Sequence, residues 1–327
     1  MQEKLIIGID VSKQTLDIYL KPSNVHFKLS NDAAGFKNFK RKMKSLVSEN
    51  VLILMEHTGY YSLRLEKFLA LNGVSFCKIP ALEIKRSLGV IRGKSDKVDA
   101  RRIAEYGWLR RELLAPNAVS DDDIRQLRSL LNFRSKLVAD RSGYMTRLKE
   151  MIATGASARR DLQSNCQQQI ITVLTQSIKK IEAEIQELIK SNLGLQRNYQ
   201  LLKSIKGVGM IVAAYMIAFT ENFQKFKNAR KFNCYAGLAP FAYESGTSIK
   251  GRSRVSHLAN KHAKTLLNLA AASAIRHDQE LKDYYQRRTS EGMKGMSCLN
   301  IIRSKIVARI FAVVKRQTPY EPLRSAA

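Results

Sequence analysis

The first 110 residues of the chain alternate short apolar runs with segments in which apolar residues recur at helical spacing. Apolar runs of strand length that are bounded by polar or turn-forming residues predict β-strands. Five such runs occur, over Leu5–Asp10, Thr15–Lys21, Val25–Leu29, Val51–Glu56 and Val74–Ile79. Helical spacing predicts three helices, over Ala34–Val47, Tyr61–Leu71 and Asp96–Leu109.

The order of these elements is three strands, then helices and strands in alternation. This order is typical of a mixed sheet of the ribonuclease-H (RuvC) type, in which three antiparallel strands are extended by parallel strands that follow crossover helices. Val51–Glu56 is continuously apolar, as expected for a buried central strand. We therefore expect residues 1–112 to form an α/β domain of this type.

From Asp121 to Tyr199 the strand pattern disappears and the spacing is helical throughout. A heptad stripe, with alternating steps of three and four, is formed by Ile171, Leu174, Ile178, Ile181, Ile185 and Leu188. A similar stripe runs through 127–152, and Thr154-Gly155-Ala156-Ser157 lies between the two. The pattern predicts that residues 113–198 form an antiparallel helical hairpin or coiled-coil connector, serving as a scaffold or a dimer contact.

Residues 199–327 are predicted to form an all-α domain with one glycine-rich interruption. The whole chain has 56 Lys and Arg against 28 Asp and Glu, a net charge of +28. Residues 197–327 alone hold 23 basic and 7 acidic residues. Such an excess indicates a polyanionic partner, first of all nucleic acid. An anionic membrane is the alternative, but no basic amphipathic terminal helix or lipidation motif is evident.

Other classes of protein are disfavoured by the pattern. No apolar stretch approaches the roughly 18 residues of a membrane span, and the acidic Glu3 is atypical of a signal peptide. The four cysteines are scattered, and neither they nor the five histidines have zinc-ligand spacing. We expect a cytoplasmic, nucleoid-associated protein with reduced thiols, in which His57 is structural.

Acidic residues end two of the predicted strands. Asp10 closes the first strand and Glu56 closes the fourth, and these strands are neighbours in the expected sheet. Asp96 and Asp99 are three residues apart, so they share one face of the third helix. Four adjacent carboxylates need a counter-charge, which a hard divalent cation such as Mg²⁺ or Mn²⁺ supplies. As the alternative, Asp96 caps its helix and Asp99 pairs with Arg101 or Arg102.

These residues resemble the Asp-Glu-Asp-Asp constellation of RuvC-type resolvases. Two stretches narrow the resemblance, Glu56-His57-Thr58-Gly59-Tyr60-Tyr61 and Lys94-Ser95-Asp96-Lys97-Val98-Asp99-Ala100-Arg101. Both are similar to motifs of the RuvC-like insertion-sequence transposases with a carboxy-terminal serine. That family includes Piv-type invertases and bridge-RNA-guided recombinases.

The resemblance continues in the carboxy-terminal part. Ile205-Lys206-Gly207-Val208-Gly209 resembles a helix-hairpin-helix turn, in which Lys206, Gly207 and Gly209 would approach nucleic-acid phosphate. Without a ligand, the same residues would form a tight turn between helices. The segments Phe232–Pro240 and Tyr243-Glu244-Ser245-Gly246 match the family's serine motif, and the basic stretch that follows contains Lys250, Arg252 and Arg254.

Chemistry alone does not select among Ser245, Ser248, Ser253 and Ser256 as a nucleophile among cations. The resemblance implies Ser245, and with it a metal-dependent DNA transposase that forms a covalent phosphoserine link. It also implies a DNA partner, a homodimer or tetramer, and in some members a structured guide RNA. The alternatives are a junction nuclease without a covalent intermediate, a Piv-type invertase, and a non-enzymatic architectural or RNA-binding protein.

Overall fold

The structure is a computed structural model that describes residues 4–44, 51–57, 59–87, 89, 93, 95–116, 121–155, 161–245, 249–256 and 258–322. The chain forms two compact units, Met1–Val119 and Ser120–Ala327. The predicted connector therefore lies mostly in the same unit as the predicted carboxy-terminal domain. Within the described residues, no helix is long and apolar enough to cross a membrane.

The first unit is built on a five-stranded mixed sheet. Its strands are β1 (Leu5–Val11), β2 (Thr15–Lys21), β3 (His26–Ser30), β4 (Val51–Glu56) and β5 (Phe76–Ile79). The strand order is β3-β2-β1-β4-β5, with antiparallel pairing from β1 to β3 and parallel pairing of β4 to β1 and β5. This is the mixed α/β sheet that the order of apolar runs predicts.

Helices cover both faces of the sheet. They are α1 (Ala33–Lys44), α2 (Leu63–Leu71), α3 (Ala81–Ser87) and α4 (Asp96–Leu109). Ile7 and Ile9 of β1 belong to the apolar core that α1 and α2 share, whereas Ile6 belongs to the core of α3 and α4. Alternate residues of a strand point to opposite faces, so each position on β1 is assigned to one layer. Among the described elements of this unit, α3 is the one that the sequence did not predict.

The second unit begins with two long helices, α5 (Asp122–Ala153) and α6 (Leu162–Ser191). They run antiparallel, since Asn192 bonds Asp123 at 2.8 Å and Arg134 pairs with Glu182 at 2.6 Å. Ile178, Ile185 and Leu188 of the heptad stripe are buried. The hairpin predicted from the heptad spacing is therefore present; of the turn residues, Ala156 and Ser157 lie outside the described part.

The rest of this unit is a helical bundle that carries a β-hairpin. Its helices are α7 (Leu193–Lys203), α8 (Met210–Phe219), α9 (Ala229–Tyr235), α10 (Lys261–His277), α11 (Gln279–Ser290) and α12 (Gly295–Arg316). The expected glycine-rich interruption is an antiparallel pair of strands, β6 (Pro240–Ser245) and β7 (Ile249–Val255). Phe241 and Tyr243 are exposed, so the described side chains of β6 do not form the buried face of a half-buried strand.

Candidate active site

The parallel pairing of β1 and β4 brings two of the four acids side by side. Ile9 is paired with Met55, so Asp10 and Glu56 occupy the next position on each strand. Both follow the alternation that directs Ile6 and Leu54 toward α4. The two carboxylates therefore lie on the face of the sheet that α4 covers.

The other two acids lie in the first turn of α4. Ser95 caps this helix, since its side chain accepts a hydrogen bond from the backbone N–H of Val98. Asp99 forms an ion pair with Arg102 at 2.9 Å, and Asp96 lies 3.8 Å from the ammonium of Lys28. The alternative of a surface pair between Asp99 and Arg102 is thus realised, whereas the capping role belongs to Ser95.

Gly8 lets α4 lie close enough to β1 for these acids to approach Asp10. A Cβ atom on Gly8 would lie 2.3 Å from the backbone nitrogen of Ala104 and 2.5 Å from the carbonyl oxygen of Ala100. Gly107 on α4 has a similar role, since a Cβ there would lie 2.6 Å from Leu54. The sequence carries one signal of this contact, a glycine on the α4 face of an otherwise bulky strand.

Several acidic side chains lie close together at this site and affect the protonation of Asp10. The pKa of the Asp10 carboxyl is raised from its ordinary 3.8 to about 6. Burial is the largest cause, and negative charges add to it, in the order Asp99, Asp96, Glu56 and Asp17. The ionised form of Asp10 is therefore disfavoured in the folded protein, and a cation placed nearby would relieve that penalty.

The carboxylates do not form a complete ligand shell. Within the described residues, no group of three or more His, Cys, Asp or Glu side chains is arranged to hold a metal ion. The donor chemistry nevertheless fits a hard divalent cation, because the neighbouring acids together raise the pKa of Asp10. To bind the cation, Asp99 would have to break its ion pair with Arg102.

Asp17 is a fifth acid, which the sequence analysis did not identify. It faces Asp10 across the β1–β2 pair and is buried. Its two carboxylate oxygens bind His26 at 3.0 Å and Lys28 at 3.2 Å. An acidic residue in the middle of an apolar strand was the available signal. Its partners on β3 become visible only once the strands are paired.

The glycine turn joins α7 to α8. Gly207 has φ +91°, and a Cβ there would lie 2.6 Å from the carbonyl oxygen of Ala270, so this glycine permits packing against α10. Gly209 precedes α8 and is exposed, with no atom within 4 Å of an added Cβ, and Lys206 is exposed as well. The open side of the turn therefore lies at Lys206 and Gly209.

Ser245 is the last residue of β6. Its backbone is paired with Ile249, and Glu244 is paired with Lys250. Arg254, opposite Phe241, has an exposed side chain. The remaining predicted groups lie outside the described part, namely the side chains of Ser245, Lys250 and Arg252 and the whole of Thr58, Lys94, Gly246, Ser248 and His257.

The start of β6 is anchored by residues that the sequence analysis did not identify. Asn300 of α12 donates a hydrogen bond to the carbonyl oxygen of Leu238 at 2.8 Å. Arg303 is 3% exposed and donates to Asn300 and Asn268. Burial lowers the pKa of the Arg303 guanidinium. This network ties the hairpin that carries Ser245 to α10 and α12.

Comparison with protein families matches two parts of the chain. Residues 199–286 match the Transposase IS116/IS110/IS902 family, and residues 7–154 match a DEDD-type IS110 model described as a transposase. The first range contains Ser245 and the second contains all four predicted acids. Together the two matches span both units of the structure.

Similar proteins cover from about two thirds to nearly all of the chain. The pilin gene-inverting protein of Moraxella bovis is 25% identical, over 97% of this chain and 98% of its own. An uncharacterized protein of insertion element IS116 from Streptomyces clavuligerus is 22% identical over 99% of each chain. The transposase for insertion sequence element IS1111A of Coxiella burnetii is 24% identical, over 69% of this chain and 68% of its own.

Proposed function

Since this chain belongs to the IS116/IS110/IS902 family of transposases and is a DNA recombinase, we propose that it cuts and rejoins DNA at a cation-dependent acidic site. Asp10, Glu56, Asp96 and Asp99 would hold Mg²⁺ or Mn²⁺. The observation that supports this proposal is the pairing of β1 with β4, which places Asp10 beside Glu56 on the face that α4 covers. Burial and the neighbouring acids raise the pKa of Asp10 to about 6, in agreement with a site for a cation. A divalent cation bound there would stabilise the negative charge that develops on a phosphodiester during cleavage.

The second part of the proposal is that Ser245 is the nucleophile. Its hydroxyl oxygen would form the bond to phosphorus and lose its proton, and the departing deoxyribose oxygen would take up a proton. Rejoining is the reverse reaction with a new deoxyribose hydroxyl. The position of Ser245 within the family match at 199–286 supports this assignment. Lys206, Gly209, Lys250, Arg252 and Arg254 would contact the nucleic acid, with Gly207 shaping the turn.

The proposed assembly is a homodimer or tetramer joined through the α5–α6 hairpin. Phe133, Met145 and Val173 are exposed apolar residues on these two helices, which suits a surface that a second copy covers. A structured RNA from the insertion element is proposed as a guide, and the net charge of +28 is compatible with binding both RNA and DNA.

The covalent mechanism can be tested by denaturing the reaction mixture and measuring whether DNA stays attached to the protein. With a DNA substrate that carries the element's own ends and Mg²⁺, the wild-type protein should leave DNA attached through a phosphoserine. Ser245→Ala should abolish both this adduct and recombination. Ser253→Ala, on the other strand of the same hairpin, is the matched control and should retain both.

If Ser245→Ala still recombines DNA, the covalent mechanism is wrong. Cleavage without any adduct, lost in Asp10→Asn, would instead identify a junction nuclease that uses the acidic site alone.

A further inference from the structure

A polar cleft of about 390 Å³ lies beside the acidic site in the first unit. It is formed between the β2–β3 hairpin and the first two turns of α4. Its lining residues are Tyr19, Asn24, His26, Lys97, Val98 and Arg101. The cleft contains no carboxylate among these residues, although Asp17, Asp96 and Asp99 lie within two residues of it in the sequence.

The charge of the cleft comes from one side of α4. Lys97 and Arg101 are both exposed and are four residues apart, so they lie one above the other on the helix surface. Arg101 has a long ion pair with Glu105, at 3.6 Å, and no ion pair of Lys97 is found among the described residues. Two cations side by side with little compensation favour an anionic ligand.

The floor of the cleft is polar and held in place. The hydroxyl of Tyr19 donates to Asn24 at 3.4 Å, and the ring of His26 is bonded to the buried Asp17 at 3.0 Å. Asp17 therefore fixes the orientation of His26, which lines the cleft. A cationic wall over a floor of polar groups is suited to a phosphate group.

The cleft and the acidic site share helix α4. Asp96 and Asp99 alternate with Lys97 and Arg101 in the first turns of α4, and Lys28 lies 3.2 Å from Asp17 and 3.8 Å from Asp96. His26, which lines the cleft, and Lys28, which lies beside Asp96, both bind Asp17, so the cleft is adjacent to the acidic site. We propose that the cleft binds a backbone phosphate of the DNA strand next to the phosphate that is cut. The assignment to the cut strand rests on the function proposed above.

The location of the phosphate site can be tested by acetylating the lysines of the full-length protein and measuring the modified residues by mass spectrometry. A DNA duplex added in EDTA should slow acetylation of Lys97 several-fold. Lys37 is exposed on α1, which packs on the other face of the sheet, and should react at an unchanged rate. Equal reactivity of Lys97 with and without duplex would overturn the proposal. Protection by a structured RNA but not by the duplex would overturn the assignment to DNA.

A matched pair of double variants tests whether the cleft contributes to the salt-dependent affinity for DNA. Lys97→Ala/Arg101→Ala removes one Lys and one Arg four residues apart from the cleft, and Lys37→Ala/Arg41→Ala removes the same pair from α1. The cleft variant should reduce the slope of log Kd against log salt by about 1 for each lost phosphate contact. The α1 variant should keep the wild-type slope, and equal slopes for both variants would refute the cleft as a phosphate site.

These measurements need neither cleavage nor Ser245. A protein whose duplex binding depends on Lys97 and Arg101 but which forms no serine adduct would retain the cleft and refute the covalent chemistry. A protein that forms the serine adduct but shows no protection of Lys97 would support the covalent chemistry and refute the cleft as a phosphate site.

Discussion

Asp10 links the stability of the first unit to its proposed chemistry. Its carboxyl has a pKa of about 6 in the folded protein against 3.8 ordinarily, so the folded state binds the proton more tightly than the unfolded state does. The wild-type free energy of unfolding therefore decreases as the pH rises from about 4 to about 6. The full difference corresponds to about 3 kcal/mol, which partial exposure reduces to about 1–2 kcal/mol.

We expect Asp10→Asn to stabilise the cation-free protein while abolishing cleavage. In EDTA above pH 6 the variant should be more stable by about 1–2 kcal/mol, and the gain should vanish near pH 4, because asparagine does not ionise. Mg²⁺ should raise the melting temperature of the wild type more than that of the variant. Urea denaturation across this pH range measures the first effect and thermal melting the second. A variant less stable than wild type at pH 8 in EDTA would contradict the electrostatic account.

At the scale of elements, the approach of α4 to β1 determines whether the acids meet. The contact is between Gly8 and the backbone of Ala100 and Ala104, so no flexible side chain can move away to accommodate a larger residue. Helix α4 carries both Asp96 and Asp99. A small displacement of this one helix therefore separates two of the four acids from the other two.

Gly8→Ala should cost about 1–3 kcal/mol of stability through overpacking and should greatly reduce cleavage. Gly143→Ala is the control, because Gly143 lies inside α5 and an added Cβ would meet only the end of Arg147, at 3.9 Å. The control should be stabilised by about 0.5–1 kcal/mol, since alanine is the better helix former. Urea denaturation and cleavage assays on both variants provide the comparison. Wild-type stability and activity of Gly8→Ala would show that the helix does not depend on this contact.

At the scale of the whole molecule, the basic region of the chain does not coincide with a structural unit. The basic excess is concentrated in residues 197–327, yet these residues share a compact unit with the α5–α6 hairpin. Asn198 of α7 bonds Asn222, and Gln317 after α12 bonds Asn198, so both ends of the bundle are tied together. A fragment that begins at residue 199 would cut through α7.

Most of the DNA affinity should therefore reside in the fragment Ser120–Ala327. Its affinity for a DNA duplex should fall roughly a few hundredfold between about 50 and 200 mM salt, if about five phosphates are contacted. Fluorescence anisotropy with this fragment and with the full-length chain measures both quantities. Absence of binding by the fragment at about 50 mM salt would show that the basic excess does not mark the main DNA-binding surface.

Local patterning was enough to predict much of the architecture. The five strands of the sheet and the bounds of α4 follow from apolar period, since each element buries one face and its sequence must repeat accordingly. The α5–α6 hairpin follows from heptad spacing for the same reason. The proximity of Asp10 and Glu56 followed from the expected mixed sheet, in which the strand after the first crossover helix lies beside the first strand and parallel to it. The helix α3 has seven residues, which is too short for its apolar spacing to predict it.

The tertiary structure alone decided features that depend on contacts between distant segments. The described side chains of β6, from Pro240 to Glu244, are all exposed, so no buried face marks this strand, and its pairing with β7 reveals it. Asp17 gains its partners from β3. Asn300, which Arg303 holds in place, anchors the start of β6 from α12, much later in the chain. Gly8 matters because of the helix that lies against it. The spacing of apolar residues shows which face of an element is buried. Ion pairs, close approaches and clefts depend instead on which distant segments come into contact, and only the folded structure determines those contacts.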